Sequence, residues 1–521
     1  MLQLKLTSNK WFRYADVAVR GYAYNEENVC MEGETLAAYF CVHSEQEWNR
    51  RLQNCNGLFS VVSYAPDWQA AAVDPSRIYP LYYRLTEEGL LLSDSPYTLL
   101  QTNDKLDSVA VAEYGAMAVP MAGKTLVQGL LQVRPGYYLL ADGRQCAFWQ
   151  YTVRQTELHY PSDEEFNGML QEVFCRLIKS VRGRQLVIPL SGGNDSRLIL
   201  CMLHSLGYTN VLCYTIGRPG NWESNIACKV ATALGYSICQ IDTTTPEARS
   251  SIAPANGSGE RSFEHYYRFI GNLSNFVWLF EYPAILQLQS MGKLSPDAVF
   301  VPGHTADVFA GSHLRKGCVS DKSSVRYMTS ALIYDSCEYE GKNIQTYVKQ
   351  YLRQQIQSGY THTSAYQSFI VQNRLPNNIN NSARVYEFFG YDVRLPFWDQ
   401  KFVEMFRRMP YSALKNCSLY THFVRTQVFS PLGVDYPQKV YPSSFFFLQK
   451  LKKRFKKLLP SSWVHAKAHL TDIIGEHELM QPLLGELVQN GAYQDDKHYY
   501  SNNQVIRDWY LMKVKQELHN L

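Results

Sequence analysis

An α+β sandwich, followed by an α/β domain built on a doubly wound parallel sheet with a helical C-terminal part, is the fold class that the sequence predicts. Three observations predict it. The chain has 521 residues, more than the roughly 250–300 that a single hydrophobic core organises, so two domains are expected. Short alternating apolar segments fill residues 1–150. An apolar run at 186–190 then breaks into a glycine loop and resumes with helical spacing, and a second strand and helix follow.

The bulk numbers exclude several classes. A hydrophobic content of 46% and a charged content of 19% describe a soluble globular protein, and no run approaches the ~18 apolar residues of a membrane span. Thr7, Ser8, Asn9, Lys10 and Asp16 fall where a signal peptide needs its apolar segment, so a cytoplasmic location is expected. Twelve cysteines without a CxxC pair fit reduced thiols rather than a disulfide framework. The formal charge of +4 makes no case for nucleic acid.

In the first domain, placed at 1–155, the stretches 2–6, 17–21, 58–64, 68–73 and 89–93 alternate apolar and polar residues, which predicts antiparallel strands joined by turns. Alternation stops between Thr152 and Asp163, and Ser162-Asp-Glu-Glu165 reads as a helix start. The second domain is placed at 160–521. Its first strand runs into Leu190-Ser-Gly-Gly-Asn-Asp-Ser196, where two glycines and two serines let N–H groups and hydroxyls converge beside a helix N-terminus, a suitable seat for phosphate. The loop lacks the lysine of GxxxxGK[ST], and Asp195 suggests a bridging metal ion. An ordinary turn is the plain alternative. Leu198, Ile199, Met202, Leu203 and Leu206 share one helix face, which Gly207 closes. Residues 211–216 read as a buried parallel strand and 223–234 as a helix. This succession places ligands at the carboxyl ends of the strands, where the loop and Ile216 lie. Residues 282–292 read as helix and 298–302 as a further buried strand, leading into Gly303-His-Thr-Ala-Asp307.

These motifs carry a resemblance. Ser191-Gly-Gly-Asn-Asp-Ser196 is similar to the SGGxDS loop of ATP pyrophosphatases (PP-loop enzymes), and residues 303–311 resemble the "SGEGSDExFGG" stretch of asparagine synthetases. Residues 391–399 resemble that family's "ExRxPFLD" run, and Tyr436-Pro-Gln-Lys-Val-Tyr441 its "RxK". In the first domain, residues 55–64 and Asp74-Pro-Ser-Arg-Ile-Tyr-Pro-Leu-Tyr-Tyr83 resemble the family's glutamine-amidotransferase domain, an Ntn-hydrolase-like sandwich. The resemblance implies an ATP-dependent, AMP-forming amide ligase with ATP and Mg²⁺. Leu190, Ser191, Gly192, Gly193, Asp195, Ser196, Ile216 and Gly303 would bind nucleotide and pyrophosphate. Asp195 and Asp307 would hold the metal, Lys439 would offset phosphate charge, and Arg394 and Asp399 would organise a helical subdomain.

Three departures qualify what is implied. The family's glutaminase nucleophile is a cysteine exposed by removal of Met1, and Leu2 stands there, so glutamine hydrolysis is not expected. Pro302 replaces a serine. His304 replaces a glutamate that handles the amine proton, and a histidine of pKa ~6.5 suits a base at that spot; the alternative is a loop residue with no proton to carry. Asn25 is either a remnant of the glutamine pocket or a surface-turn asparagine. The partners implied are a small-molecule or peptide carboxylate and an amine donor, with a homodimer as a further option. Ring-forming ligases of the β-lactam-synthetase and lasso-cyclase kind, and a non-catalytic nucleotide-binding scaffold, are the competing readings. The basic amphipathic run 448–459 is either a membrane or acidic-partner contact or a solvated helix packed by its apolar side.

Overall fold

A computed structural model describes residues 2–253, 259, 261–314, 320–336, 342–437, 472, 474–494 and 500–521. The protein is mixed α/β, with three sheets and a helical C-terminal part. The N-terminal strands are β1 (Leu2–Lys5), β2 (Phe12–Tyr14), β3 (Val17–Tyr24), β4 (Cys30–Glu32), β5 (Asn56–Tyr64) and β6 (Gln69–Val73). They continue with β7 (Tyr82–Thr86), β8 (Gly89–Ser93), β9 (Leu130–Gln132), β10 (Tyr137–Leu140) and β11 (Gln145–Ala147).

Seven of these strands form one sheet in the order β11-β10-β6-β5-β3-β2, with β4 paired to β3, and four form a second in the order β1-β8-β7-β9. Period-two alternation buries both faces of the larger sheet. Val19, Phe59, Val61 and Ala72 pack under α1 (Glu34–Tyr39) and α2 (Glu45–Asn54), where Leu36, Phe40, Trp48 and Leu52 are buried. Ala18, Val62, Ala71 and Val73 meet Tyr83, Leu90 and Leu92 of the smaller sheet. The expectation of antiparallel strands holds except at β1, which pairs with β8 in parallel, Leu2 opposite Leu90. Alternation reports which face a side chain takes and is silent on the direction of a partner some ninety positions away.

Asp74 accepts hydrogen bonds from Ser76 N–H at 2.7 Å and Phe59 N–H at 3.1 Å, and fixes the turn after β6. Arg77 in that turn has φ +53° and is buried, although its place in the resemblance belongs to a glycine. Asn25 resolves as a turn residue. Its Oδ1 accepts from Glu27 N–H and Val29 N–H at 3.1 and 2.9 Å, an Asx-type turn.

Between the sheets and the second half, α3 (Ser108–Met117) is followed by α4 (Asp163–Val181), which opens with the expected capping box of Ser162 and Glu165. The stretch expected to be a linker is pinned: Val153 N–H donates to Ser364 Oγ at 2.8 Å, and Thr361 N–H to Val153 O at 3.2 Å. The third sheet is wholly parallel, with β12 (Leu186–Pro189), β13 (Val211–Ile216), β14 (Ser237–Ile241), β15 (Val299–Phe300) and β16 (Asp392–Val393). Leu186, Val187 and Ile188 are all buried, as a strand covered on both faces requires. The helices α5 (Asn194–Ser205), α6 (Trp222–Ala233), α7 (Pro246–Ser251), α8 (Phe263–Gly271) and α9 (Glu281–Ser290) alternate with these strands. The spatial order is β14-β13-β12-β15-β16, so the chain reverses direction across the sheet between β12 and β15.

The expected strand at 298–302 is shorter than predicted, since only Val299 and Phe300 make ladder pairs on both sides before Pro302, which has no N–H to give. Arg394 and Asp399 join the two halves of the chain, and Asp399 also caps the helix Gln400–Arg407, accepting from Lys401 N–H at 2.9 Å. Arg394 donates to Glu32 Oε1 at 2.8 Å and to Ser180 Oγ at 3.0 Å. Asp399 accepts from Arg176 at 2.7 and 2.8 Å and from Asn56 Nδ2 at 3.0 Å. Glu387 sits between Arg20 and Arg384, all three buried or nearly so. The last helix, Asn502–His519, lies against α3: Arg507 donates to Gly115 O at 2.9 Å, and the Tyr114 and Tyr510 rings are 6.3 Å apart. No helix among the described residues is long and apolar enough to cross a membrane.

Candidate active site

The ladder of β12 runs one residue past the strand, with Leu190 N–H donating to Tyr214 O at 2.7 Å, and the chain then turns sharply. Ser191 N–H donates to Ser196 Oγ at 3.1 Å, and Gly193 N–H to Ser191 Oγ at 3.1 Å, so the two serines cross-brace the loop. A side chain at Gly192 would come within 3.1 Å of the Trp222 ring. Helix α5 starts on Gly193 without a side-chain cap, which directs the positive end of its dipole into the space beyond the loop.

A second segment meets this loop from β15. Gly303 packs so closely that a Cβ there would lie 2.6 Å from Ser196 N and 2.9 Å from Ser196 Cα, both backbone atoms that cannot swing aside. Gly303→Ala is therefore expected to push residues 302–307 off α5. The expected cost is ~1–3 kcal/mol of stability, measured by urea unfolding. Thr305, a β-branched residue at φ +80°, holds the next turn in a conformation that such residues rarely adopt. This turn aims Asp307 N–H at Asp195 Oδ2, 2.9 Å away, while Asp195 Oδ1 accepts from Tyr420 Oη at 2.8 Å. Burial first, and the neighbouring Asp307 second, hold the Asp195 carboxyl well above the usual carboxylate range.

The two segments enclose a cleft of ≈ 530 Å³ at the carboxyl ends of β12 and β15, the point where the strand order reverses. Doubly wound sheets bind ligands at such switch points. Ser191, Gly193, Asp195, Ser196, Gly303, His304 and Asp307 line it. Leu190, Gly192 and Ile216 are not lining residues; Leu190 is buried, and Ile216 ends β13 one strand away. His304 differs from the expected base of pKa near 7. Its Nδ1 is buried without a partner among the described residues, and burial pushes the imidazole down to about 4, so it is neutral. Among the described residues, no group of three or more His, Cys, Asp or Glu could hold a metal ion. Two carboxylates beside an anion seat nevertheless fit Mg²⁺, which takes one or two carboxylates and completes its shell with water and phosphate oxygens.

Sequence reasoning missed three residues here. Tyr420 orients Asp195 from a helix 225 positions downstream. Arg197 is buried and ties Gly192 O at 3.0 Å to Val434 O at 3.1 Å and Tyr436 O at 3.0 Å. An arginine on an otherwise apolar helix face was the available signal. Glu281, at the start of α9, lines the cleft with a buried Oε2 that has no hydrogen-bond partner among the described residues. Burial pushes its carboxyl from 4.5 up to about 7, an unfavourable term of ~3 kcal/mol against the ~0.3–1 kcal/mol that a helix N-terminus returns to an acid. Lys439 and the run 448–459 lie outside the described residues.

No family model matches the chain, and no curated protein matches it significantly. The case for function therefore rests on the residues and their geometry.

Proposed function

We propose that the chain is an ATP-dependent, AMP-forming amide ligase of the asparagine-synthetase kind. In this reading its second half is a PP-loop ATP pyrophosphatase and its first an Ntn-hydrolase-like sandwich. The observation that carries the reading is the meeting of Asp195, Asp307 and an uncapped helix N-terminus at the switch point of a parallel sheet. In the first step a substrate carboxylate attacks the α-phosphorus of ATP, forming an acyl-adenylate and releasing pyrophosphate. The Ser191–Ser196 loop, braced by its own Ser191–Ser196 and Gly193–Ser191 hydrogen bonds, and the N-terminus of α5 would receive that pyrophosphate, their shape set before charge develops. Asp195 and Asp307 would hold Mg²⁺, whose charge neutralises the leaving group. In the second step an amine attacks the acyl carbon and AMP departs. His304, neutral at pH 7, offers a ring nitrogen to an N–H of that amine.

Pyrophosphate exchange into ATP, run with Mg²⁺ and a panel of carboxylic acids, tests the reading. Exchange dependent on one acid supports it, and silence across the panel despite ATP binding favours the scaffold. Tyr436, which Arg197 anchors to the Gly192 loop, precedes Lys439 by three residues. Lys439→Ala is expected to lower the exchange rate ~10²–10³-fold with the KM for ATP changed less than threefold, since a charge that acts on the transition state alone shows in kcat. A shift confined to KM would assign the lysine to ground-state binding.

A further inference from the structure

Asp195 and Asp307 account for a cation at the phosphate end of the cleft, and they leave the third acidic wall residue unexplained. Glu281 does not belong to their cluster, because among the described residues no three such groups come together around a metal position. Its Oε2 is buried and has no hydrogen-bond partner among the described residues, whereas the residue as a whole is half-buried because it borders the cleft. Among the described residues no cation neutralises it: Glu281 takes part in no ion pair there, and the charged group that acts on it is another acid, Glu476. Its remaining electrostatic neighbours are the buried tyrosines Tyr214, Tyr266 and Tyr386, all raised by its negative charge as well as by burial. Tyr386 shares the cleft wall and is held by Tyr214 Oη at 3.1 Å. The wall thus presents a carboxylate and a phenol oxygen, acceptors without a donor of sufficient charge.

The geometry points to Glu281 as the recognition group for a protonated amine brought into the cleft by a substrate, an inference that rests on the ligase reading for the identity of that substrate. An ammonium supplies the missing charge and three N–H donors, enough for the carboxylate and the Tyr386 hydroxyl together. The amine arrives either on the acyl substrate, as in an amino acid, or as the amine donor itself. Burial explains the choice of ligand, because a charge pair is strongest where water is excluded. It also explains selectivity: a neutral or anionic group in the same place leaves the carboxylate uncompensated.

The test compares wild type with E281Q, an isosteric variant whose fold is checked by circular dichroism. Titration with 1,4-diaminobutane at pH 8, followed by calorimetry, is expected to give at least tenfold weaker binding in E281Q. Tetramethylammonium, which cannot donate a hydrogen bond, is expected not to compete. Equal affinity for diaminobutane in the two proteins overturns the assignment. So does a loss of Mg·ATP affinity in E281Q with diaminobutane binding unchanged, which would give Glu281 to the nucleotide. Pyrophosphate exchange with paired acids, L-aspartate against succinate and L-glutamate against glutarate, then separates the sources. Loss in E281Q of a preference for the amino-bearing acid places the ammonium on the acyl substrate; unchanged exchange with a tenfold higher KM for the amine places it on the donor. If wild type fails to bind Mg·ATP, the ligase reading falls, and the diaminobutane titration still decides the role of Glu281.

Discussion

Asp195→Asn is expected to lower Mg²⁺-dependent pyrophosphate exchange ~10³-fold or more, if the proposed ligase reading holds, while the protein becomes no less stable. The activity loss follows from removing one of the two carboxylates at the anion seat, since charge stabilisation by a bound divalent ion is worth several kcal/mol. The stability result follows from the same pair in the other direction. Asp195 faces the exposed Asp307 at the edge of the cleft, and both burial and that neighbour disfavour its charge. An asparagine keeps the shape: its Oδ1 can accept from Asp307 N–H while its Nδ2–H donates to the Tyr420 oxygen, whose hydroxyl rotates to suit, so both contacts that Asp195 now makes are retained. Activity and stability moving in opposite directions is the mark of a functional site held against its own electrostatics. The measurement is the exchange rate beside the thermal midpoint, and a variant that loses both equally would make Asp195 a structural residue. Tyr420→Phe is the milder companion: it removes the hydrogen bond alone, with an expected ~10-fold fall in the same assay.

Glu387→Ala destabilises the whole chain by ~3–5 kcal/mol in urea unfolding, because it leaves two buried guanidinium groups without a counter-charge. Arg20 and Arg384 both reach Glu387, with side-chain exposures of 4% and 2% against 9% for the carboxylate. Removing Glu172 from its exposed pair with Lys401, 52% and 61% accessible, is expected to cost under ~1 kcal/mol. The contrast isolates burial as the cause. A pH dependence accompanies it. Burial alone would push the Glu387 carboxyl up, but the two arginines outweigh it and hold it below its ordinary 4.5. The folded state therefore binds this proton less readily than the unfolded chain does. The stabilisation is complete above the unfolded value and is lost as the pH falls below it through the folded value. Wild type should lose this contribution in acid and the variant should not, so their stability difference narrows below pH 4.5.

Much of the architecture was legible because it follows from local patterns. Alternation marked β3, β5 and β6, and the capping box marked the first turn of α4. The loop after β12, its glycines and Asp195 stood out for the same reason: one short segment holds the whole signal. What escaped depends on distance along the chain. The parallel partner of β1, the Tyr420 hydroxyl on Asp195, and the seat of Glu281 beside the tyrosines arise only after folding brings remote segments together. The neutral state of His304 belongs to the same class, since a residue type carries an ordinary pKa and burial sets the actual one. Arg394 and Asp399 were legible as structural residues, but the halves of the chain that they fasten were not.

The contact between α3 and the final helix has a consequence for synthesis. Arg507 reaches Gly115 O, 392 positions earlier in the chain, and Tyr510 reaches Tyr114, only after all the intervening residues have been synthesised. At ~5–20 residues per second, that interval lasts on the order of tens of seconds. Until then the aromatic surface around Tyr97 and Tyr114 has only earlier segments for cover, with Arg268 over the Tyr97 ring and Asn275 O accepting from Tyr114 Oη, and lacks Tyr510. The nascent first half thus keeps part of its aromatic surface open until the helix Asn502–His519 has been made and docks on it.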